Sequence, residues 1–273
     1  MKILFTDMDG TLLNNQSHVS DYTKEVLQKM TDEGHKLVLS SGRPLDSIRQ
    51  VVESDNLHYK GMYILANNGS TIYDCDNDKI IMEKTVPYEL VDKVWKLCMS
   101  KGIHIQTYNK NTILTPAHDK EIDVYMERIH LKLELTNSPC DILEKEPYKM
   151  LAIDLENKSA LQDLADEIVK MFPDKLLAIF SNDRYLEIIN STSGKGEGLK
   201  WLCKYLNIDI SDSYAAGDAM NDFSMIEAAG NGIAMCNGDA TLFEYADIIS
   251  EFDNHEDGLA KLICKYILKS KKG

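Results

Sequence analysis

The spacing of apolar positions changes twice along the chain and divides it into three stretches. In the first, short unbroken apolar runs alternate with segments of helical period. Residues 2–6 (KILFT) read as a strand that ends in acids. Residues 21–33 follow Ser20, carry Tyr22, Val26, Leu27 and Met30 at helical spacing, and stop at Gly34. Lys36–Ser40 is the next strand, followed by a helix through Ile48, Val51 and Val52 and a third strand at Met62–Ala66. Such alternation predicts parallel βαβ units with helices on both faces of the sheet.

The rhythm breaks after Asn67. Thr71–Asp74 and Lys79–Glu83 flank a turn at 75–78 and read as a hairpin. From about 86 to 189 come two blocks of a helix followed by paired strands: 88–100 with 103–108 and Thr112–Thr115, then 161–171 with 176–181 and 185–189. A helix near 119–131 and a strand at 149–155 lie between them. This pattern predicts a separate α+β domain with helices on one side of a largely antiparallel sheet. Past Lys195 the parallel rhythm returns: helix 196–206, strand 214–216, helix 222–229, strands 232–235 and 246–250, and a closing helix 257–268. The expected organisation is an α/β core from 1–84 and 190–273, interrupted by an inserted domain at 85–189.

Composition narrows the function. The 273 residues are 44% hydrophobic and 27% charged, ordinary for a globular enzyme. Thirty Lys and Arg stand against 44 Asp and Glu, a net charge of -14. That balance repels nucleic acid and anionic membrane, whose binding rests on Lys and Arg. A phosphorylated substrate is repelled too, so any phosphate site must be locally rich in cations and N–H donors. The six cysteines (Cys75, Cys98, Cys140, Cys203, Cys236, Cys264) contain no CxxC pair and read as reduced and mostly buried. The N-terminus is not a secretory h-region, and no apolar run approaches the roughly 20 residues that span a bilayer. A cytoplasmic protein is expected.

Candidate chemistry gathers at strand ends. Asp7-Met8-Asp9-Gly10-Thr11 puts two carboxylates just past the first strand, where open parallel sheets bind ligands; the plain alternative is an acidic turn. Gly217-Asp218-Ala219-Met220-Asn221-Asp222 is a second acidic cluster after a strand, although Asp218 also suits a helix cap. Two such clusters without His or Cys suit a hard divalent cation such as Mg²⁺, which takes oxygen ligands. Ser40-Ser41-Gly42-Arg43 can offer O–H and N–H donors to a phosphate. Lys195 heads a helix between Gly194 and Gly196, though a solvated lysine is the commoner fate; Asn67-Asn68-Gly69 reads as a turn.

Taken in order, these segments resemble the haloacid dehalogenase superfamily, and within it the Cof-type phosphatases. DMDGT (7–11), SSGR (40–43), Lys195 in GKGEGL, and GDAMND (217–222) are similar to its four motifs, and 232–240 and 256–263 to its closing elements. Residues 235–238 read Met-Cys-Asn-Gly where Met-Gly-Asn-Ala is usual in the family. The resemblance implies a Rossmann-like parallel-sheet core with an inserted α/β cap of type IIB, and a Mg²⁺-dependent phosphatase acting on small phosphorylated metabolites, sugar phosphates first among them.

It further implies roles. Asp7 attacks phosphorus and becomes an aspartyl phosphate; Asp9 protonates the leaving oxygen and then takes a proton from water. Asp7, the backbone carbonyl of Asp9, and Asp218 hold Mg²⁺. Ser41 and Lys195 hold the phosphoryl group, with Asn221, Gly42 and Thr11 assisting. Asp222 orients Lys195 or a metal-bound water, and Arg43 and Asn68 support the site or touch substrate. Like-charge repulsion from Asp7 and Asp218 is expected to raise the pKa of Asp9. A phosphomutase is the alternative, favoured by basic inserted-domain residues such as Lys110, Arg128 and Arg184; a phospholigand sensor without catalysis is the third. His104, His118 and His130 read as surface or packing residues, Trp95 and Trp201 as core, and 251–257 as a solvated acidic loop.

Overall fold

The computed structural model describes residues 1–127, 129 and 131–268. Its first part runs β1 (Ile3–Thr6), α1 (Asp21–Asp32), β2 (Lys36–Ser40), α2 (Leu45–Ser54), β3 (Met62–Ala66), β4 (Thr71–Asp74) and β5 (Lys79–Glu83). The middle part runs α3 (Tyr88–Lys101), β6 (His104–Asn109), β7 (Thr112–Thr115), α4 (Lys120–Met126), β8 (Lys132–Leu135), β9 (Lys149–Ile153), α5 (Lys158–Met171), β10 (Leu176–Asn182) and β11 (Tyr185–Asn190). The last comprises α6 (Lys195–Tyr205), β12 (Ser213–Gly217), α7 (Phe223–Ala228), β13 (Asn231–Ala234), β14 (Ile248–Ile249) and α8 (Gly258–Leu262), which continues as a π-helical turn through Ile267. The chain forms two compact units, Met1–Glu83 with the chain from Gly194 onward, and Lys84–Ser193. The second junction falls later than 189/190 because β11 runs through Asn190 and the Ser193 amide bonds back to the Asn190 carbonyl.

The first unit is an eight-stranded sheet in the order β14-β13-β12-β1-β2-β3-β4-β5. It is parallel from β14 to β3, and β4 and β5 are antiparallel. Strand alternation sends successive side chains to opposite faces. Leu4, Leu37, Leu39 and Ile64 pack with Val26, Leu27 and Met30 of α1 and Ile48 of α2. Ile3, Phe5, Val38 and Leu65 pack with Leu199 and Leu202 of α6 and Met225 of α7. Both sheet faces are therefore buried, and the strands read as unbroken apolar runs. Ser20 caps α1, its Oγ accepting from Thr23 N at 3.0 Å, a contact worth about 1 kcal/mol.

The second unit is a six-stranded sheet in the order β10-β11-β9-β6-β7-β8, antiparallel except where β8 pairs with β7. Its helices do not share one side. Trp95 of α3 and Leu161 and Leu164 of α5 pack on Ile105, Met150 and Ala152, while Ile122 and Tyr125 of α4 pack with Ile113, Leu151 and Ile153 from the opposite face. Strand β8 (KLEL) falls just beyond the stretch read as helical to 131; α4 ends at Met126, and β8 is a largely exposed edge with too little apolar pattern to announce itself. Arg128 and His130 lie outside the described residues.

Two smaller expectations also change. The last strand is only Ile248–Ile249, shorter than 246–250. Of the cysteines, only Cys98 and Cys203 are buried; Cys236 and Cys264 are exposed, and all six are free. Trp95 is fully buried, whereas Trp201 is half-buried and stacks on Tyr205. His104 is buried between Asp119 and Gln106, and His118 is an exposed partner of Asp123. Among the described residues no helix is long and apolar enough to cross a membrane.

Candidate active site

Neighbouring parallel strands end side by side, and this alone gathers the acidic segments. Thr6 pairs with Ala216, and the Asp7 amide extends the ladder to the Ala216 carbonyl at 2.9 Å. Asp7 and Asp218 thus leave adjacent strands together. Met8 turns into the core and its carbonyl accepts from the Leu12 and Leu13 amides, closing a tight loop that leaves Asp7 buried and Asp9 exposed. Gly10 is required within it: its φ is +82°, and a Cβ there would lie 2.3 Å from Asp218 Oδ2.

Lys195 joins from the face of the sheet covered by α6. Its Nζ lies 2.6 Å from Asp7 Oδ1 and 2.5 Å from Asp222 Oδ1, with the ammonium fully buried. The other Asp222 oxygen accepts from the amides of Asp218 and Ala219, both at 3.2 Å. Asp222 is thus committed to Lys195 and to the backbone of its own loop. The Asn67-Asn68-Gly69 turn fixes the head of α6, since a Cβ on Gly69 (φ +86°) would strike the Gly194 carbonyl at 2.1 Å. Asn68 is buried beside Gly42, where a Cβ would come 3.0 Å from Asn68 Oδ1. Ser41 is buried next to it, its Oγ accepting from the Arg43 amide at 3.2 Å.

Burial, and then the neighbouring Asp222, push Asp7 well above the ordinary carboxylate range. The same two causes push Asp218 up to about 6. Burial would lower Lys195, but Asp222 and Asp7 outweigh it and hold the ammonium charged. Oxygens of Asp7, Asp218 and Asp222 lie within 4.8 Å of one another. Three carboxylates against one ammonium leave two negative charges in excess. That excess and the all-oxygen donor set fit a hard divalent cation, with Asp7 and Asp218 as the carboxylates still available.

Two residues, Asp9 and Thr11, have partners beyond those expected. The Asp9 carboxylate is 56% exposed and paired at two points with Arg43, while its charge also helps to raise Asp218. The Thr11 hydroxyl is directed at Asp218 Oδ1, 3.0 Å away. Asn221 is half-buried in the turn Met220–Asp222. Lys110, a basic residue that would favour a mutase, pairs with Glu144. Sequence reasoning passed over Asn237, whose Nδ2 holds the Gly10 carbonyl at 2.8 Å, and the Asp239 amide, which holds the Asp218 carbonyl at 2.7 Å. The signal available was the Asn237 that residues 235–238 share with the usual Met-Gly-Asn-Ala, and at the departing position Gly238 a Cβ would come 2.4 Å from the Asp218 carbonyl.

A parallel sheet with a buried carboxylate–lysine centre at its strand ends is the arrangement of a hydrolase site in an open α/β fold. Residues 4–263 match the haloacid dehalogenase-like hydrolase family. The chain belongs to that family and is an enzyme of its phosphatase type. It is 28% identical to 5-amino-6-(5-phospho-D-ribitylamino)uracil phosphatase YwtE of Bacillus subtilis, over 96% of this chain and 97% of that protein. A haloacid dehalogenase-like hydrolase from Bacteroides thetaiotaomicron shares 27% identity and superposes with a TM-score of 0.83, covering 97% of this chain and 98% of that one. The subclass IIB sugar phosphatase BT4131 shares the fold at 20% identity, with a TM-score of 0.80 over 97% and 99% of the two chains.

Proposed function

We propose that the protein is a Mg²⁺-dependent phosphatase of small phosphorylated metabolites, sugar phosphates foremost, working through an aspartyl phosphate on Asp7. The observation that carries this reading is the buried Asp7–Lys195–Asp222 centre beside Asp218. Asp7 attacks phosphorus; the bond from phosphorus to the leaving oxygen breaks, and that oxygen takes a proton from Asp9. Water then attacks the phosphoryl group, its proton goes to Asp9, and the bond to Asp7 breaks to release phosphate.

Lys195 and Ser41 hold the phosphoryl oxygens, with the amides around Gly42 and the Asn221 side chain as further donors. Asp222 keeps Lys195 charged and aimed at Asp7. Asn68 supports Gly42, and Thr11 orients Asp218. Asp7, Asp218 and the Asp9 carbonyl would hold Mg²⁺, which when bound neutralises charge on the substrate phosphate. Catalysis of this kind rests on positioning and charge neutralisation. A general acid contributes roughly 10² to 10⁴ and an oxyanion donor roughly 10² to 10³, so several groups must act together. Substrate selection is assigned to the inserted unit, 84–193. The relative named for a phosphorylated ribitylamino compound supports a polyhydroxylated substrate.

Phosphate release from p-nitrophenyl phosphate and a panel of sugar phosphates tests the proposal, with Mg²⁺ or EDTA, in wild type and Asp7→Asn. Activity that requires Mg²⁺ and is lost in Asp7→Asn supports it; activity that survives in Asp7→Asn removes the nucleophile.

A further inference from the structure

Arg43 Nε donates to Asp9 Oδ2 at 2.9 Å, and a terminal amino group donates to Oδ1 at 2.5 Å. The planar fork matches the carboxylate and occupies both of its oxygens. While this contact holds, the inner edge of the Asp9 carboxylate is turned to Arg43 and both oxygens carry a guanidinium bond, which competes with a leaving group or a water for the same side chain.

Both backbones are tied down elsewhere. The Arg43 amide donates to Ser41 Oγ, its carbonyl accepts from the Asn67 amide at 3.0 Å, and Pro44 follows. The loop around Asp9 is held by the Met8 carbonyl and by Asn237 on Gly10. Rotation of two side chains is therefore enough to part the pair. Those side chains are 30% and 56% exposed, and ion pairs this exposed are weak enough to exchange readily.

The geometry points to Arg43 as a latch on the general acid: it withholds Asp9 at rest, and a leaving group bearing hydroxyl or anionic acceptors takes the guanidinium and frees Asp9. The inference rests on the phosphatase reading and deepens it. Arg43 is a positioning residue in this scheme. It couples arrival of a polyhydroxylated or anionic leaving group to the availability of acid and base. A substrate such as p-nitrophenyl phosphate offers no hydroxyl to the guanidinium and its leaving group needs no proton. It leaves the latch engaged, and Asp9 stays withheld from the water that attacks the aspartyl phosphate.

The test is steady-state kinetics with Mg²⁺ on p-nitrophenyl phosphate and a hexose phosphate, for wild type, Arg43→Ala, Arg43→Lys, and Arg43→Ala combined with Asp9→Asn. In Arg43→Ala, kcat on p-nitrophenyl phosphate rises a few-fold, the fraction that an exposed ion pair withholds. On the hexose phosphate, kcat/KM falls about tenfold or more, chiefly through KM. A damaged fold cannot move the two substrates in opposite directions. Arg43→Lys, which lacks the fork, also raises kcat on p-nitrophenyl phosphate, and the rise vanishes when Asp9→Asn is present. A parallel fall on both substrates, no change on either, or a rise that persists with Asp9→Asn overturns the latch. A wild type inert on both substrates fails the phosphatase reading itself, and the latch with it.

Discussion

Asp222 Oδ1 lies 2.5 Å from Lys195 Nζ, and neither side chain is exposed to solvent. The pair joins two distant segments: Asp222 closes the loop after β12, and Lys195 opens α6. Because Lys195 also holds Asp7, the arrangement both supports the nucleophile and welds α6 to the sheet end.

Removing Asp222 tests the weld. Asp222→Asn weakens one of two charged contacts to the buried ammonium and leaves Asp7 as the remaining carboxylate partner of Lys195, so it is expected to lower stability by roughly 1–3 kcal/mol. Urea unfolding should show a lower midpoint at an unchanged slope. A midpoint equal to wild type would mean the pair carries no net stability.

Gly10→Ala probes the loop between Asp7 and Asp218. The residue has φ +82°, and the new methyl would meet Asp218 Oδ2 at 2.3 Å. Displacing Asp218 is expected to cut phosphatase kcat by about 10² or more, against a stability loss of roughly 1–3 kcal/mol. Parallel assays of turnover and melting separate the two effects. Near-normal turnover would show that Asp218 tolerates the shift.

Asn237→Ala removes the side chain that holds the Gly10 carbonyl. The loss is expected to be about 1 kcal/mol in stability, with a several-fold drop in kcat at little change in KM. A larger effect on KM than on kcat would place Asn237 in substrate binding.

The raised Asp218 gives stability a sign against pH. Its pKa is about 6 in the fold against 3.8 for the free side chain. Without a divalent cation the native state binds more protons than the unfolded chain through that window, so stability falls as pH rises from about 4 to about 6. The loss is of the order of 3 kcal/mol from Asp218 across the whole window, and Asp7, raised by the same burial, adds in the same direction. Denaturation midpoints in EDTA should therefore be higher near pH 5 than near pH 7, and saturating Mg²⁺ should flatten or reverse the difference. Midpoints that rise with pH in EDTA would contradict the charge excess.

Local chemistry made much of the molecule legible. Residues 36–40 and 62–66 are unbroken apolar runs because β2 and β3 are buried on both faces, and a strand of that kind admits few other readings. The edge strand β8 is not legible for the converse reason: three of its four residues are exposed, so its composition is free to vary. The two sides of the inserted sheet were likewise not separable, since apolar strand positions do not say which helix covers them.

The order of Asp7, Ser41, Lys195 and Asp218 at strand ends and a helix head, and the family that order resembles, follow from the chain alone, because motif spacing and strand period are local. What those residues touch was decided by tertiary structure. Asp222 holds Lys195 across 27 positions, Asn237 holds Gly10 across 227, and Arg43 pairs with Asp9 across 34. Two residues of a β-strand's extension can share a face and still be turned to different partners. That choice belongs to the neighbouring strand ends, which no local pattern encodes.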